Sequence, residues 1–337
     1  MGRENITIKD IARELGISPS TVSRALKDHP DISQATRDAV NELARRWNYR
    51  PNPIAISLKS GSSRTIGVII PDIVHYFFST VISGIEDVVY QRDYNMILCQ
   101  SNEMWEHEVK NIKTLLSSRV EGVLASVSKT TSDLSHFRSI LEKDIPLVFY
   151  DRVAEELKTD SVVIDDEAGS YKAVIHLLRT GKKRIVHLGG PMQLAIARDR
   201  RDGYLRAMKE YRLSPSDDDM IKCDDIESAN RVIPEMLKRI PRPEAFVAVN
   251  DLTAAQALMI VKRHGLRVPE DIAIVGFTNS QIAKLTDPGL TSVDQKGFLM
   301  GQTAAKLLID RIENRRGPVQ NKVITSELVI RGSSSLK

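Results

Sequence analysis

Five side chains able to form hydrogen bonds lie close together near the start of the chain, in the segment SPSTVSRAL that begins at residue 18. They are Ser18, Ser20, Thr21, Ser23 and Arg24. Hydroxyl and guanidinium groups bind the phosphate oxygens and the base edges of DNA. On a helix, Val22 and Leu26 would face inward and leave these polar groups outside. The pattern predicts a DNA-reading helix, with an ordinary surface helix as the alternative.

The flanking residues would position this helix. In TIKDIAREL, Thr7 can cap a first helix, and Asp10 stands three residues further on, as in a capping box. Gly16 tolerates the left-handed backbone that ends a helix, and Pro19 suits the first turn of the next one. A third helix would begin after Ser33 and close the unit with apolar residues at helical spacing, namely Val40, Leu43, Ala44 and Trp47. The sequence predicts an all-α helix-turn-helix domain over residues 1–50.

A hinge segment follows over residues 51–64. Asn52 can cap a short helix that has Pro53 at its first position, and Leu58 and Lys59 end it. So short a helix is unstable alone. We therefore expect residues 53–59 to be helical on operator DNA and poorly ordered without it.

The order of these segments resembles the LacI/GalR family of bacterial transcription regulators. The resemblance rests on ISPSTVSRAL, YRPNPIAISL and IGVIIPD, and it covers essentially the whole chain. It implies that Leu58 wedges into the minor groove of the DNA. In the same hinge segment, Ile56 replaces an arginine that is frequent in relatives. Pattern and resemblance together predict these DNA contacts: Thr7, Ser18, Pro19, Ser20, Thr21, Ser23, Arg24, Asn52, Leu58 and Lys59.

Charge and composition agree with this prediction. Residues 1–64 hold 11 basic and 7 acidic side chains, whereas the remaining residues hold 37 of each, so all the net positive charge falls on the small domain. Two distant cysteines, Cys99 and Cys223, form no metal or disulfide pattern, and no apolar run is long enough to span a membrane. No nucleophile elbow, phosphate loop or zinc motif is present. We expect a cytoplasmic non-enzyme without a cofactor.

Beyond residue 64, apolar strands alternate with amphipathic helices, which predicts parallel sheets. Crossing segments are expected near 162–165 and 290–295, and a last strand over 323–330. The resemblance implies an α/β periplasmic-binding-protein-like core over 65–337, made of two doubly wound parallel-sheet lobes. Lobe one would take in about 65–161 and 293–320, and lobe two about 162–292 and 321–337.

Ligands of such sheets bind beyond the carboxyl ends of the strands. The resemblance identifies Arg200 as the pocket arginine, and it identifies Asp151 and Asn250 with polar pairs of the family. In the latter pair, Asn250 could bind the ligand while Asp251 caps the next helix. Two departures from the family make the pocket less polar: Thr278 replaces a common aspartate, and Leu194 and Ile196 stand where relatives can present polar contacts. The predicted ligand contacts are Asp72, Phe77, Phe78, Asp151, Arg200, Asn250, Asp251, Thr278 and Gln295.

These features predict a homodimeric transcription repressor that reads a pseudo-palindromic operator and responds to a small effector, a carbohydrate or a related metabolite. Two alternatives stay open. One is a solute-binding protein without DNA function, and the other is a regulator controlled by a partner protein.

Overall fold

The chain divides into two compact units, Met1–Ser63 and Arg64–Lys337. The computed structural model describes residues 6–49, 62–315 and 317–335. The predicted hinge helix, with the DNA contacts assigned to Asn52, Leu58 and Lys59, lies outside these residues.

The N-terminal unit contains the three predicted helices, α1 (Ile8–Glu14), α2 (Pro19–Ala25) and α3 (Gln34–Arg46). Ser18 and Ser33 cap α2 and α3, since each hydroxyl accepts a bond from the backbone N–H three residues on. Gly16 has a φ of +66°, as a left-handed turn requires. The helices enclose one apolar core of fully buried side chains, among them Ile11, Val22, Ala25 and Val40.

The first sheet of the larger unit has the strand order β11, β5, β4, β3, β1, β2, and all its strands are parallel. Its strands are β1 (Thr65–Ile70), β2 (Asn95–Gln100), β3 (Gly122–Ala125), β4 (Leu147–Tyr150), β5 (Asp160–Ile164) and β11 (Asn321–Ile324). The helices of this lobe are α4 (Tyr76–Gln91), α5 (Trp105–Ser117), α6 (Ser135–Leu141) and α12 (Gly297–Glu313).

The second sheet has the order β12, β10, β9, β8, β6, β7, and only β12 runs antiparallel to its neighbour. Its strands are β6 (Ile185–Gly189), β7 (Met220–Lys222), β8 (Ala245–Ala248), β9 (Ala273–Phe277), β10 (Thr291–Asp294) and β12 (Glu327–Val329). The helices of this lobe are α7 (Asp166–Arg179), α8 (Ala195–Glu210), α9 (Ile226–Leu237), α10 (Asp251–Arg263) and α11 (Gln281–Leu285).

The chain passes between the lobes three times, after β5, β10 and β11. Three sequence predictions need correction here. Residues 162–165, predicted as a crossing, lie mostly in β5, which pairs with β4 and β11 of lobe one. Residues 290–295, predicted as the second crossing, lie mostly in β10, which pairs with β9 and β12 of lobe two. The single strand predicted over 323–330 is two strands, β11 and β12, in different sheets. The apolar residues on both sides of Thr325 and Ser326 hid this break in the sequence.

Helices α4 and α12 pack closely enough to fix the start of α4 at the cleft. A Cβ added at Gly84 would lie 2.0 Å from the carbonyl oxygen of Phe298, and one at Gly301 would lie 2.0 Å from that of Val81. Both positions therefore need glycine for backbone contact. In the described part of the chain, every helix is too short or too polar to span a bilayer.

Candidate nucleic-acid interface and ligand cavity

The outer face of α2 presents the predicted polar residues to solvent. Pro19, Ser20 and Arg24 are exposed, and Thr21 and Ser23 are half-buried. The guanidinium of Arg24 has no ion-pair or hydrogen-bond partner within the described residues, so its donors are available to a base edge or a phosphate.

Two of the predicted DNA contacts also hold the helices in place. The Thr7 hydroxyl donates a 2.6 Å bond to Asp10, whose carboxylate also accepts from the Thr7 backbone N–H. The Ser18 hydroxyl lies 2.7 Å from that of Ser20 and 2.8 Å from that of Thr21. These bonds order the surface that would meet DNA.

A cavity of about 220 Å³ lies between the lobes, at the carboxyl ends of both sheets. Each predicted ligand contact except Asp251 lines it. Sequence reasoning missed six further lining residues that could bear on ligand chemistry, His75, Glu103, Lys129, Asp224, Asp225 and Leu252. Glu103, Lys129 and Asp224 follow strands β2, β3 and β7, so their position after a strand was the signal that could have found them.

One wall of the cavity is apolar. Phe77 and Phe78, in the first turn of α4, are buried, and their rings meet edge to face with centroids 5.2 Å apart. From lobe two, Leu194 and Ile196 add aliphatic surface. Such a wall can pack against the carbon-bound face of a sugar ring or a planar ligand.

Arg200 lies in the second turn of α8 and lines the cavity from there. Its Nε donates to Asp166 over 2.6 Å and one terminal nitrogen to the Val249 carbonyl over 2.8 Å, while its Cζ is 4.1 Å from the centroid of the Phe277 ring. Burial raises the pKa of Asp166, and the nearby Arg200 opposes this by favouring the carboxylate. Arg200 is thus positioned by its own lobe, and only part of its donor set is left for a ligand.

The helix-capping role expected for Asp251 belongs to Asn250, and Asp251 neither caps the helix nor contacts the cavity. Asn250 Oδ1 accepts from the Thr253 N–H over 2.8 Å and caps α10. Asp251 does not line the cavity: its buried carboxylate accepts from the Ser280 N–H and the Ser292 hydroxyl, which ties α10 to β10 and to the start of α11. Burial raises its pKa to about 6. Because Asn and Asp cap helices about equally well, the sequence could not decide which one does so.

Thr278 and Gln295 form a neutral pair at the far side of the cavity. The Thr278 hydroxyl donates to Gln295 Oε1 over 2.9 Å. The amide nitrogen of Gln295 is left with two N–H groups that a ligand oxygen could accept from.

The three Arg and Lys side chains that line the cavity are already paired with carboxylates. Lys129 lies 2.7 Å from Asp224, Arg152 lies 2.7 Å from Glu103, and Arg200 pairs with Asp166. A ligand therefore meets no uncommitted cation among the described residues of this site.

Asp151 is the exception among the buried charges of the cavity. Its backbone is left-handed, with a φ of +59°, and the side chain is 4% exposed. The carboxylate accepts no hydrogen bond from the described residues, and the nearest cation, Arg152 Nε, is 3.8 Å away. Burial raises the pKa of Asp151 to about 7, although Arg152 opposes the shift. A carboxylate left this way is suited to accept bonds from ligand hydroxyls.

A helix-turn-helix unit followed by a two-lobed core with a cavity between the lobes defines a ligand-responsive DNA-binding regulator, and comparison with known proteins specifies its family. Residues 7–52 match the bacterial regulatory proteins of the lacI family, and residues 174–334 match the periplasmic binding protein-like domain. The HTH-type transcriptional repressor PurR of Vibrio atlanticus (strain LGP32) is 33% identical over 313 residues, which is 92% of this chain and 92% of that protein. The chain belongs to the LacI family of bacterial transcription regulators.

Two solved structures share the fold over nearly the whole chain. A complex of the transcriptional regulator CelR with cellobiose has a TM-score of 0.75 at 27% identity and covers 97% of this chain and 99% of that one. The Lac repressor dimer bound to operator and the anti-inducer ONPF has a TM-score of 0.87 at 24% identity and covers 98% and 99%. These matches confirm the predicted fold class of a helix-turn-helix domain with a two-lobed α/β core.

The raised pKa of Asp151 predicts a pH-dependent stability. The pKa is about 7 in the folded chain and about 3.9 when unfolded, so its contribution is fully present below pH 4 and is lost as the pH rises through 7. Asp151→Asn should therefore raise the free energy of unfolding at pH 8 by about 1 to 4 kcal/mol relative to the wild type, and should flatten its decline between pH 5 and 8.

The measurement is urea unfolding followed by the fluorescence of Trp105, with Trp47→Phe as the background. Asp287→Asn, at a side chain that is fully exposed, is the matched control. Equal pH profiles for Asp151→Asn and its parent would show that Asp151 is not a buried, uncompensated carboxylate.

Proposed function

We propose that this regulator is a homodimeric repressor whose affinity for a pseudo-palindromic operator is controlled by an uncharged, hydroxyl-rich effector, a carbohydrate or a closely related metabolite, bound between the lobes. The observation that carries the proposal is the cavity itself, which has an apolar wall and, in Asp151, a carboxylate without a hydrogen-bond donor, whereas every Arg and Lys among its described lining residues is paired with a carboxylate. As a bacterial regulator that binds the operator, the protein would act in the cytoplasm.

The charge pattern favours a neutral ligand over a phosphorylated one. A phosphate would add negative charge to a cavity whose cations are already neutralised by Asp224, Glu103 and Asp166, so it would gain little net attraction for the cost of its desolvation. Hydroxyl groups, by contrast, can donate to Asp151 and accept from Gln295 and Arg200 without breaking any ion pair. The related CelR structure, which holds cellobiose, supports a carbohydrate.

The remaining effector contacts follow from this arrangement. We assign Phe77 and Phe78 to the apolar face of the ligand, and Asp151, Gln295 and Arg200 to its hydroxyls. Asp72 and Thr278 also line the cavity. The Asp72 carboxylate already accepts from the Val74 N–H, and the Thr278 hydroxyl donates to Gln295, so both would act chiefly by orienting neighbours. Asn250, with both side-chain atoms bonded to protein, would shape the cavity rather than bind directly.

For DNA, two copies of α2 would enter successive major grooves one helical turn apart, as two-fold symmetry requires. Within each copy, Arg24 is the residue best suited to a base, because its planar fork matches the two acceptors of guanine. Ser20, Thr21 and Ser23 would contact bases or phosphates beside it.

Arg24→Ala should weaken binding to the preferred operator by about 1 to 3 kcal/mol and relax the base preference at one position of each half-site. Arg45→Ala removes the same charge from an exposed position on α3 and should change neither the base preference nor the operator affinity by a comparable amount. The measurement is competition binding at fixed salt against operator variants and nonspecific DNA. If Arg24→Ala lowers specific and nonspecific affinity by equal factors, Arg24 contacts only phosphate.

A thermal-shift screen of carbohydrates, each paired with its phosphate ester, tests the effector class. We expect the neutral member of a binding pair to raise the melting temperature and change operator affinity, and its phosphate to bind about tenfold more weakly or worse. Tighter binding of the phosphates would contradict the neutral class. Operator binding that is intact but insensitive to every compound would favour control by a partner protein.

A further inference from the structure

Lys129 joins the two lobes by two different groups. Its Nζ lies 2.7 Å from Asp224 Oδ2, and its carbonyl oxygen accepts a 2.9 Å bond from Gln193 Nε2. Lys129 follows β3 of lobe one, whereas Asp224 and Gln193 follow β7 and β6 of lobe two. A single residue thus binds the opposite lobe with both its side chain and its main chain.

Two carboxylates of lobe one accept hydrogen bonds from the loop that carries Lys129 and hold it in place. Glu103 accepts from the Lys129 N–H over 2.9 Å. Glu108, fully buried, accepts from the Ser128 N–H and hydroxyl and from His136 Nε2 over 2.8 to 2.9 Å. Because these bonds lie within lobe one, the backbone at Lys129 is held in place before it meets lobe two, so closing the contact orders little additional backbone.

Asp224 is fixed in a similar way. Its carbonyl oxygen accepts a 3.0 Å bond from Asn250 Nδ2, and its side chain is only 9% exposed. The next residue, Asp225, caps α9 and adds a second carboxylate at the same point. If the lobes close without Lys129, the nearly buried Asp224 carboxylate loses the cation that lies 2.7 Å from it while Asp225 remains beside it, which disfavours closure.

We propose that Lys129 and Asp224 form a clasp that closes the cleft over the effector, so that the strength of this pair sets how long the effector stays bound. The inference rests on the proposed function, because it assigns the regulation of the same cavity. Lys129 acts as a positioning residue: it holds the lobes together and forms part of the cavity wall.

Another bridge between the lobes supplies the comparison. Arg198 lies 2.6 Å from Glu155, but their side chains are 38% and 62% exposed. An exposed pair of this kind contributes little, since water competes for both charges. The Lys129–Asp224 pair is therefore more buried than the Arg198–Glu155 pair, although the N–O distances of the two pairs are nearly equal.

The test measures lobe separation in the full chain without any ligand. Nitroxides at Lys143→Cys in lobe one and Lys209→Cys in lobe two, both exposed, report the distance by double electron–electron resonance in a Cys99→Ser background. We expect Lys129→Met and Asp224→Asn each to shift the distribution to longer distances, Lys129→Arg to retain the parent distribution, and Arg198→Met to leave it unchanged.

The double variant Lys129→Met/Asp224→Asn separates a clasp from simple loss of packing. It leaves no unpaired charge, so its distribution should return part of the way toward the parent. Once a carbohydrate has been found to bind, Lys129→Met should weaken it about tenfold, mainly through faster dissociation.

Unchanged distances in both single variants would overturn the clasp, as would equal opening by Arg198→Met. Melting curves confirm that each variant is folded, and Asp224→Asn tests the pair independently if Lys129→Met does not fold. Because the distance measurement needs no effector, its failure is distinct from failure of the carbohydrate screen. A clasp that opens as expected in a protein that binds no carbohydrate would refute only the effector class.

Discussion

The requirement that buried charge be compensated governs the cleft of this regulator. Parallel sheets bring the carboxyl ends of many strands together, and the polar loops there are closed off when two lobes face each other. Ionised groups in such a place must be paired or must shift their pKa. Arg152, Arg200 and Lys129 meet this requirement with neighbouring carboxylates, and Asp151 meets it with a pKa raised to about 7.

This constraint explains both the selectivity for a neutral effector and the closure of the lobes that we assign to the core. Paired cations attract an anionic ligand only weakly, whereas the Asp151 carboxylate, which accepts no hydrogen bond from the described residues, attracts hydroxyl donors. The pair of Arg152 with Glu103 lies within lobe one, and the pair of Arg200 with Asp166 lies within lobe two. Each holds a wall of the cavity in place. The third, Lys129 with Asp224, spans the lobes. Of these three pairs, only Lys129 with Asp224 would be broken by a change in lobe separation.

Much of this architecture could be predicted from sequence because its signals are local. Caps at Ser18 and Ser33, the left-handed Gly16 and the apolar spacing of α1 to α3 specify the N-terminal unit within a few residues. Most of the cavity residues could be found because they directly follow strands. Other features depend on distant parts of the chain. The break between β11 and β12 depends on which sheet each strand joins, and the role of Asp251 depends on Ser280 and Ser292. No local pattern around Lys129 indicates that its partner is Asp224.

Thermodynamic linkage gives the most direct test of the account, because an effector that changes operator affinity must have its own affinity changed by operator in the same ratio. The decisive measurement is the dissociation constant of a carbohydrate that binds the full chain, with and without saturating operator, alongside that of the operator with and without saturating carbohydrate. We predict two equal ratios that differ from one by about 5-fold to 150-fold. Ratios of one, for a carbohydrate whose binding is lost in Asp151→Asn, would show that the cavity does not control DNA binding.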